Sequence, residues 1–251
     1  MLRPIDLTVL QESSVLGRTN PLVKLGIALG WLIGLGLMHD PLRPLALALA
    51  AVVAGLTLGR IPSARLVQGL APLVAAAGSI ALANLVFAAA NTDQAARELL
   101  RIGSLRLTAE AVMAASSIGA RVVAIVATGV VFAQTTDPTR LVDALVQQAR
   151  VPERFAYGAL AAYQAVPRLG QDLGTLRQAR RIRGVASGWH PKLLIGLLVR
   201  AIRHADQLAL AMDARAFGTR PRTAFRPLRW RSIDLAVGVG GAAIIVLVLL
   251  A

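Results

Sequence analysis

Apolar positions in this chain fall mainly in long continuous runs rather than in alternation. Five stand out: Leu22–Met38, Leu42–Leu58, Leu70–Ala90, Ala111–Phe132 and Ile233–Leu250. Helices of roughly 17–22 residues, at about 1.5 Å per residue, match the thickness of a bilayer's hydrocarbon core. His39-Asp40-Pro41 makes a tight turn between the first two, crowded further by Pro44. The pattern predicts an all-α integral membrane protein with about five transmembrane helices. It divides into an N-terminal segment 1–21, a four-helix membrane region 22–132, a helical domain 133–231 and a last membrane helix 232–251.

In 133–231 the pattern turns polar and takes on helical spacing. Asp137-Pro138 supplies a cap and a first-turn proline for a helix through Leu141, Leu145 and Val146. Val151-Pro152 ends it. A second helix carries Phe155, Leu160, Tyr163 and Val166 up to Pro167, which kinks or restarts it, and a third runs from about Leu173 to Arg183. Gly184 and Gly188 mark the break before a fourth, which starts at Pro191 and runs past Leu208 and Met212 to about Ala216. The stretch Asn91–Glu110 is expected to be a charge-balanced loop.

Composition agrees with the membrane reading. The chain is 56% hydrophobic and 16% charged, against about a quarter charged in soluble domains. Aromatics are 4%, without the girdles and alternating strands of a membrane β-barrel. The formal charge of +14 is concentrated in 133–231, which holds 17 of the 27 Lys/Arg and 6 of the 13 Asp/Glu. Excess Lys/Arg marks cytoplasmic segments of membrane proteins, so the charge argues for orientation, not nucleic-acid binding. With five crossings, Arg3, Arg18, Lys24, Arg60, Arg65 and the basic domain fall on one side. That places the N-terminus and 133–231 in the cytoplasm. No signal peptide is expected, because residues 1–20 lack a positive region followed by an apolar core.

Chemistry is sparse. There is no cysteine, and His39, His190 and His204 are far apart, so no metal or acid–base centre is expected. Neither Lys24 nor Lys192 belongs to a phosphate-binding Gly-rich loop, so any ATP and Mg must be bound by partner chains. Gly26, Gly30 and Gly34 stand four apart, a small-residue face for helix packing or partner docking. Asn84 and Arg121 are polar groups inside apolar runs, where internal pairing or function is the default expectation. Two arginine-centred words near helix ends are the sharpest feature: Ala179-Arg180-Arg181-Ile182-Arg183-Gly184 and Asp213-Ala214-Arg215-Ala216-Phe217-Gly218. Each sets an arginine at a helix end with a small residue after it, Gly184 in one and Ala216 in the other, suited to entering a partner's groove. Two copies 32 residues apart suggest two similar grooves, hence a dimeric or pseudo-dimeric partner. A cation at a helix C-terminus is also favoured by the helix dipole alone.

These landmarks resemble the transmembrane coupling (T) component of energy-coupling factor transporters, the cobalt/biotin-type permeases. Asn20-Pro21-Leu22-Val23-Lys24-Leu25 is similar to that family's Asp-Pro-x-x-Lys-Leu entry to the first span. Arg121 matches an arginine of the last span before the soluble domain, and Thr135-Thr136-Asp137-Pro138 and Val151-Pro152 look like its Thr-Thr and Val-Pro landmarks. The two arginine words resemble its Ala-Arg-Gly triplets, with Arg180 for Gln, Ile182 for Ala and Ala216 for Gly. The resemblance implies that Ala179, Arg180, Arg183 and Gly184, with Asp213, Ala214, Arg215 and Ala216, dock on two ABC-type ATPase subunits or a homodimer. It also implies a small membrane-embedded substrate-binding subunit and uptake of a vitamin or transition-metal ion. The alternative from another class is a membrane enzyme acting on a lipid or polyprenyl substrate. Its candidate knot would be Arg203, His204, Asp206 and Asp213. A self-contained carrier lacks carboxylates along a membrane path.

Overall fold

The computed structural model describes residues 14–38, 40–91, 97–102, 105–184, 190–219 and 223–250. His39 of the expected tight turn and Gly188 of the expected helix break lie outside the described residues. So does most of the N-terminal segment 1–21. The chain divides into two compact units, 1–141 with 229–251, and 142–228.

In the first unit, a short turn of helix α1 (Val15–Arg18) leads into α2 (Pro21–Leu37), α3 (Leu42–Thr57), α4 (Ser63–Phe87) and α5 (Ala109–Thr135), and α9 (Ser232–Leu250) returns to it. All of α2–α5 and α9 are apolar. The helices α4, α5 and α9 are long enough to cross a membrane, while α2 and α3 are shorter. This is an all-α membrane protein. Helix starts are set by capping: Asn20 Oδ1 accepts from the Leu22 amide (3.0 Å) with Pro21 at the first position, and Thr108 Oγ1 from the Ala111 amide (3.3 Å).

The close approaches fix helix directions. Gly55 and Gly59 of the α3 end lie against Val131 and Thr135, so α3 runs parallel to α5. Gly69 meets Val130 and Gln134 while Gly119 meets Ala81, so α4 runs antiparallel to α5. Gly238, Gly241 and Ile245 of α9 meet Val23, Ile27 and Gly34, so α9 runs parallel to α2. The core is Trp31, Leu35, Met38, Leu47, Ala48, Ala51, Ala124, Ala127 and Val248. Trp31 buries its ring there and donates Nε1–H to the Gly241 carbonyl at 2.9 Å, which meets the need of a buried indole.

Two expectations are corrected. The Asn91–Glu110 stretch is not simply a loop, because β1 (Glu98–Ile102) and β2 (Leu105–Thr108) form an antiparallel hairpin. Arg106 pairs with Glu98 at 3.3 Å, and Asn91 Oδ1 accepts from the Thr108 amide at 3.1 Å. In the second unit, α6 (Pro138–Gln147, begun just before the boundary) is capped by Asp137, whose Oδ1 accepts from the Thr139 amide at 3.0 Å. It is followed by α7 (Glu153–Ile182) and α8 (Pro191–Ala214). The expected second and third helices are thus one helix, α7, continuous through Pro167. Proline there deletes one backbone bond, and its cost is moderated because Tyr163, four residues back, is exposed and its carbonyl can turn to solvent.

Candidate functional site

The pairing of α7 with α8 decides where the two arginine words sit. Leu176 lies beside Gly196, Asp172 pairs with Arg200 at 2.9 Å, and Arg168 bonds the His204 ring at 2.6 Å. Further along, the Tyr157 and Phe217 rings meet edge to face, centroids 6.1 Å apart. Each step back along α7 matches a step forward along α8, so the helices are antiparallel. Arg183 and Arg215 therefore stand at opposite ends of the pair, separated by about the 36 Å length of a 24-residue helix. The pair lines an open cavity of about 760 Å³ whose walls include Leu160, Leu169, Leu208, Arg168 and His204.

Both words close their helices the same way. Arg183 and Arg215 are the C-caps, with φ −81°, ψ 9° and φ −94°, ψ 17°. The next residue is left-handed in each: Gly184 at φ 72° and Ala216 at φ 53°. The Ala216 amide donates to Asp213 O (2.9 Å) and the Phe217 amide to Met212 O (3.0 Å), a complete Schellman closure. At the other end, the Gly184 amide donates to Arg181 O at 3.1 Å, the equivalent bond. The small third residue of each word thus answers a backbone demand at the cap as well as any demand of a partner's groove. Arg183 and Arg215 are exposed, as are Ala179, Asp213 and Ala214, while Arg180 is half-buried. Among the described residues, neither capping guanidinium has an ion pair or hydrogen bond. Phe217, packed on Tyr157, holds the Arg215 end against the start of α7, and Tyr157 in turn donates to Asp143 at 2.9 Å.

The residues of the enzymatic alternative do not converge. His204 faces Arg168 on α7, whereas Arg203, Asp206 and Asp213 are exposed on α8.

In the membrane unit the glycine face is divided. A Cβ on Gly34 would fall 2.5 Å from Ile245 Cδ1, so Gly34 serves packing against α9. Gly26 and Gly30 have nothing within 4 Å and lie exposed beside Leu29 and Ile33. Asn84 is exposed on α4 and donates to its own helix at Ile80 O, 3.0 Å. Arg121 bonds the Met38 carbonyl, which closes the C-terminal end of α2 with a cation rather than pairing with a carboxylate.

A cluster of buried polar residues at the opposite end of α2 was not expected as a unit. Lys24 is 6% exposed and donates Nζ–H to Thr135 O, at the C-terminus of α5, at 2.7 Å. Beside it, half-buried Arg140 donates to Gly17 O at 2.8 Å. Asp234 is 2% exposed, and its two oxygens accept from the Asn20 amide (2.6 Å) and the Arg231 amide (2.8 Å). Asn20, Lys24 and Thr135 are landmarks quoted above, but Asp234 is absent from sequence reasoning. Its signal was there: it is the only carboxylate at the head of the last apolar run.

Residues 12–225 match the family described as cobalt transport protein (CbiQ). The chain belongs to the cobalt transport protein family. Relatives bear out the assignment. The energy-coupling factor transporter transmembrane protein EcfT of Limosilactobacillus fermentum is 29% identical over 246 residues, 90% of each chain. The protein of the same description from Lactococcus lactis is 26% identical over 238 residues, 88% of this chain and 87% of the relative. A putative ABC transporter ATP-binding protein of Bifidobacterium longum is 24% identical over 239 residues, 89% of this chain but 29% of its own length. This member of the cobalt transport protein family is a transmembrane component of an energy-coupling factor transporter and not an enzyme. The family match takes in Asn20, Lys24, Arg121, Thr135 and both arginine words, and ends before Asp234.

Proposed function

We propose that this chain transmits the closing and opening of two ABC-type ATPase subunits, or of an ATPase homodimer, to a small membrane-embedded substrate-binding subunit. That subunit then reorients and releases a vitamin or a transition-metal ion inside the cell. ATP and Mg are bound in the ATPases. In this reading the chain lies in the bacterial cytoplasmic membrane with its N-terminus and residues 133–231 in the cytoplasm.

The observation that carries the reading is the pair of matching arginine C-caps at opposite ends of one antiparallel helix pair. Two similar plugs about 36 Å apart suit two similar grooves on separate subunits, and exposed guanidiniums offer forked donors to carboxylates or helix-end carbonyls there. The Bifidobacterium relative supports an ATPase partnership, since sequence like this chain makes up 29% of a protein named as ATP-binding. The basic balance of 133–231 supports the orientation. Gly26 and Gly30, open beside exposed Leu29 and Ile33, support a docking face on α2 for the substrate-binding subunit.

Arg183→Glu combined with Arg215→Glu tests the coupling sites. The double variant should remain folded and membrane-inserted, because both side chains are exposed. Co-purification with the ATPases should fall by more than about tenfold, since reversing a docking charge leaves repulsion and an unpaired buried group worth several kcal/mol. Undiminished recovery of the ATPases would refute the assignment.

A further inference from the structure

Residues 142–228 are joined to the membrane unit by only two stretches of chain, one after Leu141 and one before Arg229. Within the membrane unit, each stretch is fastened by a buried charged group. The outgoing stretch leaves from the C-terminus of α5, where Thr135 O takes the Lys24 ammonium at 2.7 Å, and Arg140 is held by Gly17 O at 2.8 Å. The returning stretch enters α9 at Arg231. There Asp234 accepts the Arg231 amide with one oxygen and the Asn20 amide with the other, at 2.8 and 2.6 Å. Asn20 and Lys24 are the N-cap and the fourth residue of the same helix, α2. Both junctions therefore converge on the first turn of one membrane helix.

We propose that Lys24 and Asp234 are positioning residues that transmit motion of the inserted unit to α2, so that pulling on either junction moves α2 rather than bending the chain. The inference rests on the coupling function proposed above. Stability alone gives little reason for charges here. A buried charge pays several kcal/mol of desolvation, and well-packed apolar groups of similar volume serve at least as well. What the charged groups add is direction: an ammonium aimed at a helix C-terminus and a carboxylate at a helix N-terminus each hold one register. The helix they grip is suited to carry the motion. Its far end is closed by Arg121 on the Met38 carbonyl, its inner face packs Trp31, Gly34 and Leu35 into the core, and Leu29 and Ile33 remain exposed on its outer face.

The test uses the whole transporter in proteoliposomes, with its ATPases and substrate-binding subunit, and records ATP hydrolysis and substrate uptake together. Lys24→Met and Asp234→Asn should each leave assembly and hydrolysis within about twofold of the parent while uptake per ATP drops about tenfold, the order of a typical coupling free energy between sites. Lys24→Arg, which still donates to Thr135 O, should recover most of the lost uptake. Unchanged uptake per ATP in both variants would overturn the proposal. So would joint loss of assembly, hydrolysis and uptake, which would make the two groups staples of the fold. If the parent complex itself shows no ATP-driven uptake, the coupling reading fails first and this inference with it.

Discussion

At the residue scale, the two arginine words are one device built twice with different residues on either side of the arginine, Ile182 and Gly184 in one, Ala214 and Ala216 in the other. Each arginine caps a helix, and each is followed by a left-handed residue, Gly184 in one and Ala216 in the other. Glycine takes that conformation freely, while an L side chain there costs about 1–2 kcal/mol. Gly184→Ala should therefore lower stability by about 1 kcal/mol, since nothing within 4 Å would add a clash. Ala216→Gly should act in the opposite direction by a few tenths to about 1 kcal/mol, reduced by the extra freedom glycine gains in the unfolded chain. Thermal unfolding in detergent measures both, and changes of the same sign would contradict the capping account. The arginines were legible because a charge followed by a tiny residue at a helix end, twice over, is unusual in a chain this apolar. The cap geometry was not, because a left-handed alanine has no composition signal.

At the element scale, hydrophobic runs located all five apolar helices to within a few residues except α4, which begins at Ser63 rather than near Leu70. Its first turns carry Arg65 and Gln68, so a search for apolar runs starts late. The hairpin of β1 and β2 was missed although Leu-Arg-Ile and Leu-Arg-Leu alternate on either side of a Gly-Ser pair in the sequence, the pattern of paired strands. Counting charges hid that alternation. The glycine face shows the limit of spacing alone: three glycines four apart are equivalent in sequence, yet one is packed and two are open. Among the glycines of α9, Gly241 is the most closely packed, since a Cβ would lie 2.8–2.9 Å from three atoms of Ile27. Gly241→Ala should destabilise the protein by about 1–3 kcal/mol through overpacking between α2 and α9. Gly26→Ala should leave stability within about 0.5 kcal/mol of the parent, as an exposed substitution does. Equal unfolding temperatures for the two variants would mean that α9 does not pack on α2 as described.

At the scale of the whole molecule, the apolar helices α2, α3, α4, α5 and α9 alternate in direction, and residues 142–228 are inserted between the last two of them. The start of α2, the end of α3, the start of α4, the end of α5 and the start of α9 all fall on one side of the unit. That is the arrangement in which the start of α2 and the ends of α5 and α9 that lead to residues 142–228 share a side of the unit. Insertion leaves two covalent routes for force, and both reach the Asn20–Lys24 turn. The membrane class and the family were readable from run length and landmark words. The convergence was not, because Asn20, Thr135 and Asp234 are more than 90 residues apart and meet only in the folded bundle.

Uptake into proteoliposomes tests the central claim most directly, comparing this chain alone with the chain plus its ATPases and substrate-binding subunit. The account predicts no uptake by the chain alone, with or without an ion gradient. It predicts ATP-dependent uptake by the full assembly that disappears in the Arg183→Glu, Arg215→Glu double variant. Robust gradient-driven uptake by the isolated chain, or full ATP-dependent uptake by the double variant, would contradict it.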